Sequence, residues 1–159
     1  MTQSTVATAP TERALGALAD AGPRRIQTGI ANAAIPFGRV VAWDTANGDR
    51  LLKLPAASAD VTSLAAGVAY VARMEEYEAG GYADGDDVNV VQIGRVYVNA
   101  EEAVAKGAPV YVRFAAGTGT LLGEVRNDAD TATCALLPGA RFGETISAPG
   151  PVLLEINLP

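Results

Sequence analysis

The chain has 159 residues, of which 49% are hydrophobic, and its 12 basic and 18 acidic side chains give a formal net charge of −6. This length suits one domain or one domain with an arm, and the negative charge argues against a protein that coats DNA or an anionic membrane. With no histidine and a single cysteine, Cys134, imidazole catalysis, histidine-ligated or cysteine-rich metal sites and intramolecular disulfides are excluded.

The N-terminal sequence MTQSTVATAPTERALG lacks the basic region and the apolar region of a secretion signal. No run of the chain approaches the length of a membrane span. We therefore expect a soluble protein that is made in the cytosol.

Residues 1–34 are predicted to form an extended N-terminal arm. Residues 2–10 are small and uncharged, and residues 11–20 offer at most one or two weak helical turns before Gly22-Pro23. The segment has too few large apolar groups for a core of its own, so we expect it to become ordered only against a partner surface. A floppy terminus is the alternative. The candidate partner contacts in the arm are Arg24, Arg25, Ile26 and Ile30.

Residues 35–159 are predicted to form one β-rich domain. A first strand at 39–43 and a second at 50–54 flank an Asn47-Gly48 turn, which is typical of a hairpin. A third strand is expected at 66–72. Trp43, at the end of the first strand, is predicted to lie in the core or in a subunit contact, because aromatic side chains dominate buried area.

Residues 73–87 are the most acidic part of the chain. The order of their carboxylates does not match a calcium-binding EF-hand loop, which also needs a closing glutamate. A solvated loop is the favoured interpretation, since runs of like charge stay hydrated. Within it, Tyr77 and Tyr82 are candidate partner contacts, because exposed tyrosines often anchor interfaces.

Residues 88–98 alternate as an antiparallel strand pair or one bulged strand, interrupted by Gly94. Asn99 is then a good helix N-cap with Glu102 three residues later, and Gly107 follows as a stop signal. This pattern predicts a short helix at about 100–106. A further strand is expected at 110–114.

The remaining segments predict more strands and turns. Residues 115–120 favour a hairpin turn rather than a phosphate-binding loop, because no helix pattern follows them. Strands are expected at 121–125, at 131–137 with Cys134 inside, and at 151–158. Glu155, between apolar neighbours in the last strand, is expected to pair with an arginine such as Arg141 or Arg113.

The strands, nine to eleven in number, are short and separated by turn signals every eight to twelve residues or so. This spacing predicts a mainly β fold, a single sandwich or barrel-like domain.

Five motifs follow one another in a fixed order along this domain. They are YADGD at 82–86, GRVYV at 94–98, KGAPVYV at 106–112, LPGARF at 137–142 and VLLEIN at 152–157. In this order the chain resembles the capsid cement, or head decoration, proteins of tailed bacteriophages, from about residue 35 to the C-terminus.

The resemblance implies a structural protein of the virion that binds the outer surface of the major capsid protein as a homotrimer. It implies no enzymatic activity, no catalytic residue, no cofactor, no metal, and no nucleic-acid or membrane partner. A tail or head–tail connector protein is the alternative within the same class. A carbohydrate-binding or hydrolytic β domain using Glu75, Glu76 and Asp84 is a weaker one, since a glycine-flanked loop gives poor support for a catalytic pair of carboxylates.

Overall fold

The computed structural model describes residues 13–72 and 80–159. The described residues form eleven strands and one short helix, which confirms the mainly β fold with nine to eleven short strands. The elements are β1 (Arg25–Ala31), β2 (Ile35–Pro36), β3 (Val40–Trp43), β4 (Leu51–Lys53), α1 (Ser58–Thr62), β5 (Ala65–Ala69), β6 (Gly81–Tyr82), β7 (Asp87–Ala100), β8 (Pro109–Arg113), β9 (Val125–Arg126), β10 (Cys134–Phe142) and β11 (Gly150–Asn157).

The 14-residue strand β7 is the axis of the fold, because neighbours pair with both of its edges. Val91 pairs with Ile26 of β1 on one edge and with Val68 of β5 on the other. Farther along, Ala100 pairs with β11 on one edge and with β9 on the other. At the predicted interruption, Gly94 has a φ of +143° inside a continuous strand, next to Ile93, where pairing of β7 passes from β1 to β11.

These pairings close two rings of five strands that share β7. The first ring runs β7-β1-β4-β3-β5 and returns to β7. It contains the predicted hairpin, since β3 and β4 pair antiparallel through Ala42 with Lys53 and Trp43 with Leu52. The second ring runs β7-β11-β10-β8-β9. It closes where β9 pairs parallel to β7 through one residue pair, Ala100 with Val125.

The buried apolar residues form two cores, and the second also takes in Val40 and Val68 from strands β3 and β5 of the first ring. The first core consists of Ala31, Ile35, Phe37, Val41, Leu52, Ala66, Ala69, Tyr82, Val88 and Val90. The second is larger and includes Val40, Val61, Val68, Val91, Val96, Val98, Val110, Val112, Leu137, Phe142, Leu154 and Ile156. Valine dominates the second core, as expected where small β-branched side chains must fill the interior of a narrow closed sheet, whereas the first core combines alanine and valine with larger side chains such as Phe37 and Tyr82. Cys134 is 4% exposed, which confirms that it lies inside.

The predicted position of the helix at 100–106 is wrong. Tertiary pairing prevails over the local capping pattern: β7 continues through Ala100, and buried Val104 forms a bridge with Ile146. Glu102 does not cap a helix at Asn99 but accepts the backbone N–H of Asn127 at 3.1 Å. The helix lies instead at Ser58–Thr62, where the carboxylate of Asp60 accepts the N–H groups of residues 56 and 57.

The structure also differs from the weak helical turns expected at residues 11–20. Among these, residues 13–20 form a turn followed by a strand-like bridge between Leu18 and Val96. In the described ranges, 13–72 and 80–159, the structure contains no helix that is both long and apolar enough to cross a membrane.

Candidate functional site

Residues 13–20 lie across the junction of the two rings, and we call them the N-terminal strap. The N–H of Gly16 donates to Tyr97 O at 2.8 Å, the N–H of Tyr97 donates to Ala17 O at 3.0 Å, and the N–H of Ala19 donates to Arg95 O at 2.9 Å. The strap thereby occupies the edge of β7 between β5 and β9. It satisfies backbone groups that would otherwise form an open sheet edge.

Side chains of the strap reinforce this pairing. Arg13 lies 2.8 Å from the carboxylate of Glu144 and 5.9 Å from the centre of the Tyr97 ring. Asp20 accepts a hydrogen bond from Arg95 at 2.6 Å. The backbone N–H of Gly22 and this guanidinium hold the pKa of Asp20 below its ordinary value.

Gly16 packs closely against the first ring. Its φ is +77°, a left-handed conformation that favours glycine. A Cβ at this position would lie 3.0 Å from Ala69 O, from Gly38 N and from Phe37 Cβ. The absence of a side chain at residue 16 therefore allows the strap to approach the first ring.

The four contact candidates of the predicted arm lie beyond the strap. Arg24 is exposed and passes beside Gly94, whereas Arg25 donates to the carbonyl oxygens of Leu158 and Pro159 at 2.8 and 2.7 Å. Ile26 and Ile30 are half-buried in β1. Within the predicted arm, residues 25–31 thus form a strand of the first ring; the contact of these side chains with a partner stays a prediction.

The aromatic candidates lie in different environments. Trp43 is half-buried and packs against the first core. Tyr82 is 7% exposed; its ring packs edge-on against Phe37 with centroids 5.0 Å apart, and its hydroxyl donates to Tyr70 O at 2.6 Å. Tyr77 lies outside the described residues. Trp43 and Tyr82 both belong to the surroundings of the first core, and the partner contacts of the three aromatic residues stay predictions.

A row of alternating charges crosses three adjacent strands, β10, β11 and β7. Arg141 of β10 pairs with Glu155 of β11 at 2.6 Å, and Glu155 lies 3.6 Å from Arg95 of β7, which in turn holds Asp20. Arg141 is the arginine expected for Glu155, and its side chain is 68% exposed. Beside this row lies a cavity of about 440 Å³ lined by residues 139–141 and 155–157.

Arg113, the other partner considered for Glu155, is buried elsewhere. It donates through Nη2 to Glu101 Oε2 at 2.6 Å and also contacts Asp130, while being 2% exposed. The hydrogen bond to Glu101 contributes most to raising the Arg113 pKa, and the hydrogen bond from Arg113 lowers the pKa of Asp130. No local sequence pattern signals this network, because its members come from three separated segments.

The network holds an unusual surface loop. Asp130, Thr131 and Ala132 have φ values of +39°, +54° and +66°, which is uncommon for residues other than glycine. The hydroxyl of Thr133 donates to Asp130 O at 2.7 Å, and Nη2 of Arg113 donates to the Asp130 carboxylate. Side-chain hydrogen bonds at Asp130 and Thr133 therefore hold this loop of the second ring in its left-handed conformation.

Comparison with known proteins agrees with this architecture. Residues 2–157 match a phage family described as "Structural cement protein (E217 gp24/Pam3 gp6)". A chain of the solved structure "The capsid of Myoviridae Phage XM1" has a similar fold, with a TM-score of 0.72, 20% identity, and coverage of 90% of this chain and 89% of that chain. No curated protein matches the chain.

Proposed function

The chain belongs to the phage family of structural cement proteins, and from this membership we propose that it binds the outer surface of the capsid and stabilises the shell. As a member of this family it is a structural protein associated with the capsid of the virion. The proposed partners are the major capsid protein and further copies of the chain, assembled as a homotrimer. The match along residues 2–157 is the observation on which this proposal rests.

The proposed mechanism is multivalent clamping. Each subunit contributes a modest interface with the shell, and a symmetric assembly makes the second and third contacts intramolecular once the first has formed. Total binding strength can then exceed the affinity of one interface by orders of magnitude, without a new kind of contact.

A clamp of this kind needs a body that does not deform under load. Both edges of β7 are paired along most of its length, and the strap fills the gap between β5 and β9. The buried Arg113–Glu101 pair further ties β8 to the segment that follows β7. These features support the proposal, because a rigid interface loses little conformational entropy when it binds.

The net charge of −6 makes long-range attraction an unsuitable source of affinity for an acidic partner. Exposed apolar side chains offer the shorter-range alternative. Leu121 and Leu136 are 56% and 44% exposed, and Leu136 pairs across strands with half-buried Tyr111. Burial of this apolar area on the shell would contribute to binding.

The test is cosedimentation of the purified chain with expanded, empty phage shells, followed by electron microscopy of the complexes. We expect saturable binding and added density on the outer surface of the shell. Density only at the portal or the tail would contradict the proposal and favour a connector or tail component. Native mass measurement of the protein in solution, at several concentrations, tests the homotrimer separately.

The role of the arm is tested by two deletions. Removal of residues 1–12 leaves the strap in place, whereas removal of residues 1–20 takes away the strap and all its hydrogen bonds to β7. We expect both truncated proteins to fold and to bind shells more weakly than the full chain. Unchanged affinity of a folded 1–12 deletion would contradict the proposed docking of the arm. Removal of residues 1–34 is a poorer test, since it deletes β1 and opens the first ring.

A further inference from the structure

Four arginines lie around the middle of β7, and we call them the arginine surface: Arg24, Arg25, Arg95 and Arg141. Arg25 pairs in register with Ile93 and the backbone of Arg24 passes within 3.9 Å of the position of a Cβ on Gly94. Arg95 and Arg141 lie on either side of Glu155 in neighbouring strands. All four are exposed in the structure.

The arginine surface carries more positive charge than its neighbours neutralise. Among the described side chains, two carboxylates contact it, those of Asp20 and Glu155, and the C-terminal oxygen of Pro159 accepts a hydrogen bond from Arg25. Four guanidinium groups against these three acceptors leave an excess of about one positive charge. On a chain with a net charge of −6, this local excess is positioned for a negatively charged partner.

The opposite end of the β1–β7 pair is acidic. Asp84, Asp86 and Asp87 are exposed in the turn that leads into β7, and Asp87 pairs in register with Ile30. The nearest exposed pair on the neighbouring turn, Asp49 and Arg50, adds no net charge. Counted over the described residues, this end carries an excess of about three negative charges, and the Asp86 carboxylate accepts a hydrogen bond from the Ala83 N–H.

The two ends cannot meet within one molecule. Ile93 and Asp87 are six residues apart on one strand, a distance of about 20 Å at 3.3 Å per residue. We propose that the arginine surface of one copy receives the acidic turn at residues 84–87 of a second copy. This inference deepens the self-association part of the proposed function, and it concerns the contact between copies rather than the contact with the shell.

Two kinds of symmetry satisfy this contact. In a two-fold dimer each copy gives its arginine surface to the acidic turn of the other, so that the contact forms twice. In a head-to-tail contact it forms once per copy and closes into a ring when the rotation permits. The mass of the assembly in solution distinguishes the dimer from the ring.

Charge reversals test the contact in the full chain. The variant R24E/R141E reverses exposed members of the arginine surface, and D84K/D87K reverses the acidic turn; Arg25 and Asp86 are left intact because they hold backbone groups. The fourfold variant R24E/R141E/D84K/D87K carries both reversals and has the net charge of the parent. Each variant is first checked for the parent's thermal unfolding profile. Self-association is then measured by native mass spectrometry and analytical ultracentrifugation.

We expect each double variant to raise the dissociation constant between copies at least about tenfold at low salt, and the fourfold variant to return it to within about threefold of the parent. Added salt should weaken the parent assembly, since the pairs are exposed. If net charge alone controlled assembly, D84K/D87K would self-associate more tightly than the parent, because it is less negative.

Failure of the fourfold variant to recover self-association, although it folds, would overturn the proposal, as would unchanged assembly of a folded double variant. A parent protein that stays monomeric at every concentration and salt would overturn it too. Shell cosedimentation is measured in parallel. If R24E/R141E loses shell binding but keeps self-association, the arginine surface contacts the shell and the proposal is overturned. If a double variant loses self-association but keeps some shell binding, the contact between copies is supported separately from the proposed function.

Discussion

Replacement of Gly16 by alanine tests whether the N-terminal strap is an integral part of the fold. The φ of +77° costs a residue with a Cβ about 1 kcal/mol. The three contacts of the new Cβ at 3.0 Å involve two backbone atoms and the Cβ of Phe37, none of which is the flexible end of a side chain. Overpacking at such a site adds about 1–2 kcal/mol. We therefore expect Gly16→Ala to lower the free energy of unfolding by about 2–3 kcal/mol.

Gly107→Ala is the matched control. Gly107 has a φ of +82°, close to that of Gly16, but a Cβ there meets nothing within 4 Å. This variant therefore carries the backbone cost alone, about 1 kcal/mol. The difference between the two variants, measured by urea unfolding, isolates the packing of the strap against the first ring.

Hydrogen exchange shows whether the strain detaches the strap. The amide of Tyr97 donates to Ala17 O at 3.0 Å, so its exchange should accelerate in Gly16→Ala and stay slow in Gly107→Ala. Equal stability of the two variants, together with unchanged exchange at Tyr97, would refute the conclusion that the strap docks through a close approach at residue 16.

Three further outcomes are expected. Glu101→Gln leaves buried Arg113 without its main carboxylate and should lower the free energy of unfolding in urea by about 2–3 kcal/mol. The Glu102 side chain is 29% exposed, so the control Glu102→Gln should cost less than about 1 kcal/mol. Equal losses would contradict the argument from burial. The native pKa of Asp130 is lowered, so the contribution of this carboxylate to stability is present above its unfolded pKa of about 4 and is lost as the pH falls below that value. Asp130→Asn should therefore flatten the acid side of the curve of stability against pH. An unchanged curve would contradict this role of Asp130. Burial raises the pKa of the Cys134 thiol, so a thiol reagent should label the native protein slowly and the urea-unfolded protein fast; rapid native labelling would show that Cys134 is accessible.

Alternation of valines and the positions of turn residues were sufficient for much of the fold. The hairpin at Asn47-Gly48 and the strands around it depend on a two-residue period and a local turn, both of which can be read over a few residues. The pairing of Glu155 with Arg141 followed from the need of a half-buried carboxylate for a partner. The family resemblance rests in the same way on the order of short motifs.

The helix expected at 100–106 shows where local signals failed. Asn99, Glu102 and Gly107 form an acceptable set of helix boundaries, but a segment of about two turns gains little from helix formation by itself. Pairing of Ala100 with strands on both edges and burial of Val104 outweigh it. Gly107 keeps a left-handed φ even though no helix precedes it.

The strap and the arginine surface required the tertiary structure. The strap has no sequence pattern of its own, since its stability comes from a vacant edge of β7 some 80 residues away. Arg95 and Arg141 are far apart in the sequence, and strand register places them on either side of Glu155, while Arg24 passes beside Gly94 of the same long strand.

The sequence by itself determined the class of the protein, an acidic β domain without histidine whose motifs match those of capsid cement proteins, because composition and short-period patterns are local properties of the chain. Only the tertiary structure decided that one long strand joins two closed rings and that opposite charges collect at its middle and at its start. Those features arise from pairing between residues far apart in sequence, and the register of such pairing is set by how the two cores pack.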